Sequence, residues 1–218
     1  GYKFASTYFD ANLNAYKTTW ENRVTSSTSR ASEADVTKYN PNNDPTLLAV
    51  GDLYYQTNYG VKQDPKGLEL EVAARPFQGF TGKGFASVGD WIYEGNSVSI
   101  VRNQERVQLG TTERDLTGTK VGDAAQTAFG GGIKYFIIKD LAIDADYRYY
   151  DRLYGALPLN GTKTLRLPSY DIVDAGLSYK VVLSDKNTMS FRVNVNNLFD
   201  EFYISEATSY KEATANDT

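Results

Sequence analysis

The chain of 218 residues has no cysteine, no histidine and a single methionine. Without cysteine there is no disulfide framework and no thiolate to act as nucleophile or metal ligand. Without histidine there is no serine–histidine or cysteine–histidine pair, no imidazole acid–base chemistry and almost no usual zinc site. No apolar run approaches the ~20 residues that a membrane helix needs. A formal charge of −4 gives no basic footprint for nucleic acid. No amino-terminal leader is visible and the sequence opens on Gly1, which reads as an internal piece of a longer protein.

What is present favours strands. Tyrosine is abundant, at 17 residues, among many Asn, Asp, Thr and Gly. Such a mix suits strands and turns rather than helices. Period-two alternation, which separates the two faces of a strand, recurs along the chain. In 9–23, Phe9, Ala11, Leu13 and Ala15 oppose Asp10, Asn12 and Asn14. In 67–75, Leu68, Leu70, Val72 and Ala74 oppose Glu69, Glu71 and Arg75. A glycine-rich strand is expected over 81–94, ending in Trp91 and Tyr93. Segments 126–138, 141–154, 170–181 and 188–197 continue the pattern, giving about seven strands. Alternation is also how a barrel strand hides a lipid-facing side from a hydropathy plot.

Short and long connections alternate. The links 77–80, 139–140 and 183–187 are short, whereas 24–66, 95–125 and 155–169 are long and polar. A membrane barrel has this rhythm, with tight turns at one end and long loops at the other. Aromatics gather at both strand ends. Trp20, Trp91, Tyr93, Tyr149, Tyr150 and Tyr154 lie toward the long loops. Phe77, Phe80, Tyr135, Phe136 and Tyr179 lie beside the short turns. They predict two interfacial girdles.

Chemistry-bearing patterns are few. Glu69/Glu71 and Asp144/Asp146 are same-face carboxylate pairs roughly 7 Å apart. Paired carboxylates serve glycosidases or bind calcium. A polar wall with Arg75 and Arg148 as charge partners is the simpler account. Gly82-Lys83-Gly84 and Gly130-Gly131-Gly132 lack phosphate-loop spacing and read as structural glycines. No cofactor or metal site is expected. Long loops are often functional, so Tyr54, Tyr55 and Tyr59, within 24–66, are the candidate ligand-binding contacts. Packing within the loop competes with that reading.

Toward the end of the chain, Leu167-Pro168-Ser169-Tyr170-Asp171-Ile172-Val173-Asp174-Ala175-Gly176-Leu177-Ser178-Tyr179 precedes a turn and Phe191-Arg192-Val193-Asn194-Val195-Asn196-Asn197-Leu198-Phe199-Asp200-Glu201-Phe202-Tyr203. This order resembles the end of the β-barrel in TonB-dependent outer-membrane receptors. The resemblance implies an all-β, antiparallel transmembrane barrel sector, the late strands of a 22-stranded barrel. Its final strand, plug and TonB-interacting segment lie outside this chain. Residues 1–218 are then one partial barrel domain, with external loops at about 24–66, 95–125, 155–169 and 200–218. The implied role is non-enzymatic: active import of a scarce ligand across the outer membrane of a Gram-negative bacterium. A ferric siderophore is the first expectation, with cobalamin or an oligosaccharide as others. Implied partners are the TonB complex, reached through the plug, outer-membrane lipid and the external ligand; nucleic acid is not among them. The Asn197–Tyr203 motif itself reads as a structural strand exit, its Asn and Asp bonding local backbone, rather than as a ligand site. Two other readings stay open: a small complete barrel with a structural or adhesive role, and a secreted glycan-binding β-sandwich.

Overall fold

A computed structural model of the chain describes residues 1–122, 124–157 and 163–207. Its elements are β1 (Tyr2–Ala5), β2 (Phe9–Lys17), β3 (Trp20–Arg30), α1 (Glu33–Tyr39), β4 (Leu53–Ala74), β5 (Phe80–Glu94), β6 (Asn96–Arg102), β7 (Gln108–Asp115), β8 (Thr127–Ile138), β9 (Leu141–Asp151), β10 (Leu153–Tyr154), β11 (Arg166–Leu167), β12 (Tyr170–Ser184) and β13 (Asn187–Val195). One antiparallel wall runs in the order β1-β2-β4-β5-β8-β9-β12-β13. It is an open sector of a barrel, with β1 and β13 at its edges. Among the described residues the wall has eight strands rather than about seven. The extra one is β1, whose four residues are too short to show a period.

Register lines up the alternation across the whole wall. Leu70 lies opposite Leu13 on one side and Ala86 on the other. Ala86 faces Phe129, and Phe129 faces Tyr149. Ile143 faces Leu177, and Leu177 faces Val193. One face is therefore a continuous apolar band. Its residues are not buried: Leu68 is 56% exposed, Ile133 52% and Val193 65%. Among the described residues no second sheet covers them.

Above the band the molecule is different. β2 and β3 run along the same edge of β4, interrupted at Thr18, whose N–H donates to the Pro65 carbonyl at 2.9 Å. β5 and β6 run along its other edge. β4 has 22 residues, about 70 Å at the usual strand rise. A tilted crossing needs only ~9–11 residues. The surplus forms a sheet extension in the order β3-β4-β6-β7. Gly60, at φ 72°, is a bulge that shifts side-chain phase. Tyr54, Gln56 and Asn58 above it therefore share a buried face with Val61 and Gln63 below it.

That face carries two small cores. α1 is capped by Ser32, whose hydroxyl accepts from the Asp35 N–H while the Asp35 carboxylate accepts from the Ser32 N–H. Val36 and Tyr39 of α1 pack with Ala31, Leu48, Tyr54 and Val101. Asn40 ends the helix and donates to the carbonyls of Asp44 and Leu48. Lower down, Val61, Tyr93 and Leu116 form the second cluster.

These elements show what the long stretches are made of. The stretch 24–66 holds most of β3, all of α1 and residues 53–66 of β4. The stretch 95–125 contains the β6–β7 hairpin. The stretch 155–169 contains β11, while 158–162 lie outside the described residues. From 200 onward, 208–218 also lie outside them. The upper girdle is revised as well. Tyr93 is buried in a core, and Trp91 and Tyr150 point to the polar face rather than the apolar one.

Candidate functional site

The polar face is concave. Lys3, Asp10, Glu71, Lys83, Arg148 and Asp174, drawn from β1 to β12, line one cavity of about 770 Å³. Strand alternation places them there, since each is out of phase with an apolar-band residue. Ion pairs cross the strands. Arg75 binds Asp10 at 2.6 Å, Lys83 binds Asp146 at 3.5 Å and Arg192 binds Asp144 at 2.9 Å. Arg148 binds Asp174.

Two of these pairs reach over a glycine. Gly132 stands between Lys83 and Asp146 in the register. A Cβ there would lie 2.1 Å from Asp146 Oδ1 and 3.0 Å from Lys83 Cε. Gly176 plays the same part for Asp144 and Arg192, whose atoms would lie 2.5 and 3.0 Å from its Cβ. The glycines open gaps through which an acid on one strand meets a base two strands away. The carboxylate pairs are thus parts of a charged wall. Their partners differ from those expected: Arg75 serves Asp10, and Asp144 and Asp146 are held by Arg192 and Lys83. Glu71 accepts from Asn12 Nδ2 at 3.5 Å. Among the described residues no cluster of three or more carboxylates is placed to hold a metal ion.

An aromatic rim stands above the charged trough. Trp91 Nε1–H donates to the Tyr16 hydroxyl at 2.8 Å. Their side chains lie across Gly67 and Gly89. Farther round, the Tyr150 and Tyr170 rings are 5.1 Å apart, and Tyr203 stacks on Tyr170 at 4.4 Å. The strand-exit motif positions Tyr203. Asn197, at φ 51°, donates to the Glu201 carbonyl and accepts from the Glu201 N–H. Its own N–H donates to Asp174.

The three tyrosines singled out from sequence are on strand β4, not on a loop, and they do not converge. Tyr54 is 2% exposed and faces α1, with the Tyr39 ring at 6.0 Å. Burial, reinforced by the Asp35 charge, pushes its phenol up to about 12. Tyr55 is on the opposite face, where Arg106 lies 4.3 Å from its ring. Tyr59 shares that outer face and is exposed. Tyr16, Trp91, Gly132 and Gly176 were not singled out as site residues. Carrying the period-two count through Gly89 puts Trp91 in phase with Ser87 and out of phase with Val88, which was the available signal.

Comparison with known proteins agrees with this architecture. No curated protein matches the chain. The family model described as TonB dependent receptor-like, beta-barrel matches residues 1–198. Members of that family are outer-membrane transporters rather than enzymes. The exposed apolar band, with no facing sheet among the described residues, fits a barrel wall and not a β-sandwich. The chain belongs to the TonB-dependent receptor-like β-barrel family.

Proposed function

We propose that this chain is a wall sector of an outer-membrane active transporter that imports a scarce ligand, with a ferric siderophore as the first candidate cargo. One observation supports the reading most: a single wall with an exposed apolar face and a concave, ion-paired polar face. In a bilayer the apolar face meets hydrocarbon and the polar face lines the passage. The open edges at β1 and β13 need further strands there, because unpaired backbone groups are costly in hydrocarbon. The wall itself performs no covalent chemistry. It supplies a rigid polar passage around a plug on which the TonB complex acts. The aromatic rim of Tyr16, Trp91, Tyr150 and Tyr170 is the proposed first contact for the ligand. Tyr55 and Tyr59 are secondary contacts on the extension, and Tyr54 acts through α1.

The test is uptake by cells carrying the full-length receptor. Labelled ferric siderophores, cobalamin and oligosaccharides are supplied to TonB-positive and TonB-negative hosts. Accumulation of one class, lost without TonB and reduced by Trp91→Ala at unchanged receptor level, supports the reading. Uptake that is indifferent to TonB for every compound contradicts it.

A further inference from the structure

The apolar face ends abruptly. On the rung Ala15–Leu68–Val88 the outward side chains are apolar. One rung higher, in the same phase, stand Lys17, Lys66 and Asp90. The next carries Asp64 and Ile92, with Lys120 bridged to Ile92 from the adjoining segment. Lys62 and Glu94 follow, joined by Glu21. The change from hydrocarbon-like to fully charged takes one rung.

The charge is not evenly spread over these rungs. Among the described residues, Lys17, Lys66 and Lys120 share two carboxylates, Asp64 and Asp90. Lys17 and Lys66 are directly opposite each other, an unfavourable like-charge pair. The Lys17 side chain is 68% exposed and that of its partner Asp64 only 8%, whereas Asp90 is about as exposed as the lysines it pairs with. Three ammonium groups thus meet two carboxylates at the band's edge, an excess of one positive charge. The opposite excess, Glu21 and Glu94 around Lys62, lies one rung farther from the band. A bilayer presents the same sequence of layers: hydrocarbon, then phosphate, then the outer headgroup.

We infer that Lys17, Lys66 and Lys120 form a docking surface for the phosphate headgroup of membrane lipid, seated at the edge of the apolar band. The inference rests on the membrane orientation of the wall and not on which ligand is imported. A phosphate supplies a third anion to three lysines that share two carboxylates, and the contact with the band continues directly into the headgroup layer.

The experiment uses the full-length receptor in phosphatidylcholine vesicles with or without phosphatidic acid. The thermal unfolding midpoint is recorded at low and high salt, and again with inorganic phosphate in place of the acidic lipid. The inference predicts a rise of a few degrees with phosphatidic acid that fades in ~1 M salt, where the screening length falls to ~3 Å. The rise disappears in the Lys17→Gln/Lys66→Gln/Lys120→Gln variant and survives when the three are changed to Arg. An equal rise in the Gln variant, or no rise in the unaltered receptor, overturns it. So does an equal rise with inorganic phosphate, which would mark a site for free anions. Because no uptake is measured, failure here leaves the transport reading standing.

Discussion

The lower wall and the upper extension are built from the same strands but treat apolar side chains in opposite ways. Val61 and Leu116 in the extension are 0% and 1% exposed, whereas Leu68, farther along the same strand as Val61, is 56% exposed. Covering apolar surface with protein is how a structure gains stability in water. Leaving a whole band uncovered is stable only where the solvent is itself apolar. The extension carries its own cores and is built to stand in water. On the proposed function, the wall is completed by lipid outside and by polar contents inside. The boundary lies between the Leu68 rung and the Lys66 rung of β4.

That contrast sets the expected effects of substitution. The largest belongs to the extension: Leu116→Ala removes a fully buried side chain and costs about 2–5 kcal/mol in chemical denaturation of the receptor. Ile133→Ala, in the exposed band, costs less in the same assay, because the side chain is already 52% exposed. The reverse contrast requires a bilayer. Ile133→Arg is expected to cost about 2–4 kcal/mol when folding is measured into lipid vesicles. A charge on the outer face of the extension, Tyr59→Arg, costs little there.

A further effect emerges only at alkaline pH. The Tyr54 phenol is held up to about 12 in the fold, against 10.0 for the free group, because burial disfavours its anion. A raised folded value means that this contribution to stability is complete below pH ~10 and is lost between pH ~10 and 12. Tyr54→Phe should abolish that alkaline loss, followed by circular dichroism across the range. The smallest expected effect is at the cap. Ser32→Ala removes the hydroxyl that accepts the Asp35 N–H and costs about 1 kcal/mol, localised by faster amide exchange in 33–40.

How much was legible follows the same division. The wall could be read because one face is apolar and the other polar, so Leu68, Leu70 and Val72 alternate with Glu69 and Glu71. The extension could not. Its buried face carries Gln56, Asn58, Ser97 and Ser99 beside Tyr54 and Val101, so both faces of its strands are polar in sequence. Those polar groups are joined to one another: the Ser99 hydroxyl donates to Asn58 Oδ1, and Gln56 donates to both. Segments such as Thr25-Ser26-Ser27-Thr28-Ser29 therefore read as part of a long polar link when they are strand β3. The family motif near Asn197 was legible because its turn depends on particular side chains. The cross-strand ion pairs were not, since Gly132 and Gly176 act only in register with strands distant in sequence.

The central claim is that the two faces of β4 meet different solvents below Lys66 and that the extension stands clear of lipid. The chain has no native cysteine, so single cysteines can be placed at Leu70, Glu71 and Tyr59 and labelled with a nitroxide. In vesicles carrying the full-length receptor, the account predicts that the Leu70 label collides mainly with lipid-dissolved oxygen. The Tyr59 label should collide mainly with a water-soluble nickel reagent, and the Glu71 label should be shielded from oxygen. Equal oxygen accessibility at Leu70 and Glu71, or lipid exposure at Tyr59, would contradict the account.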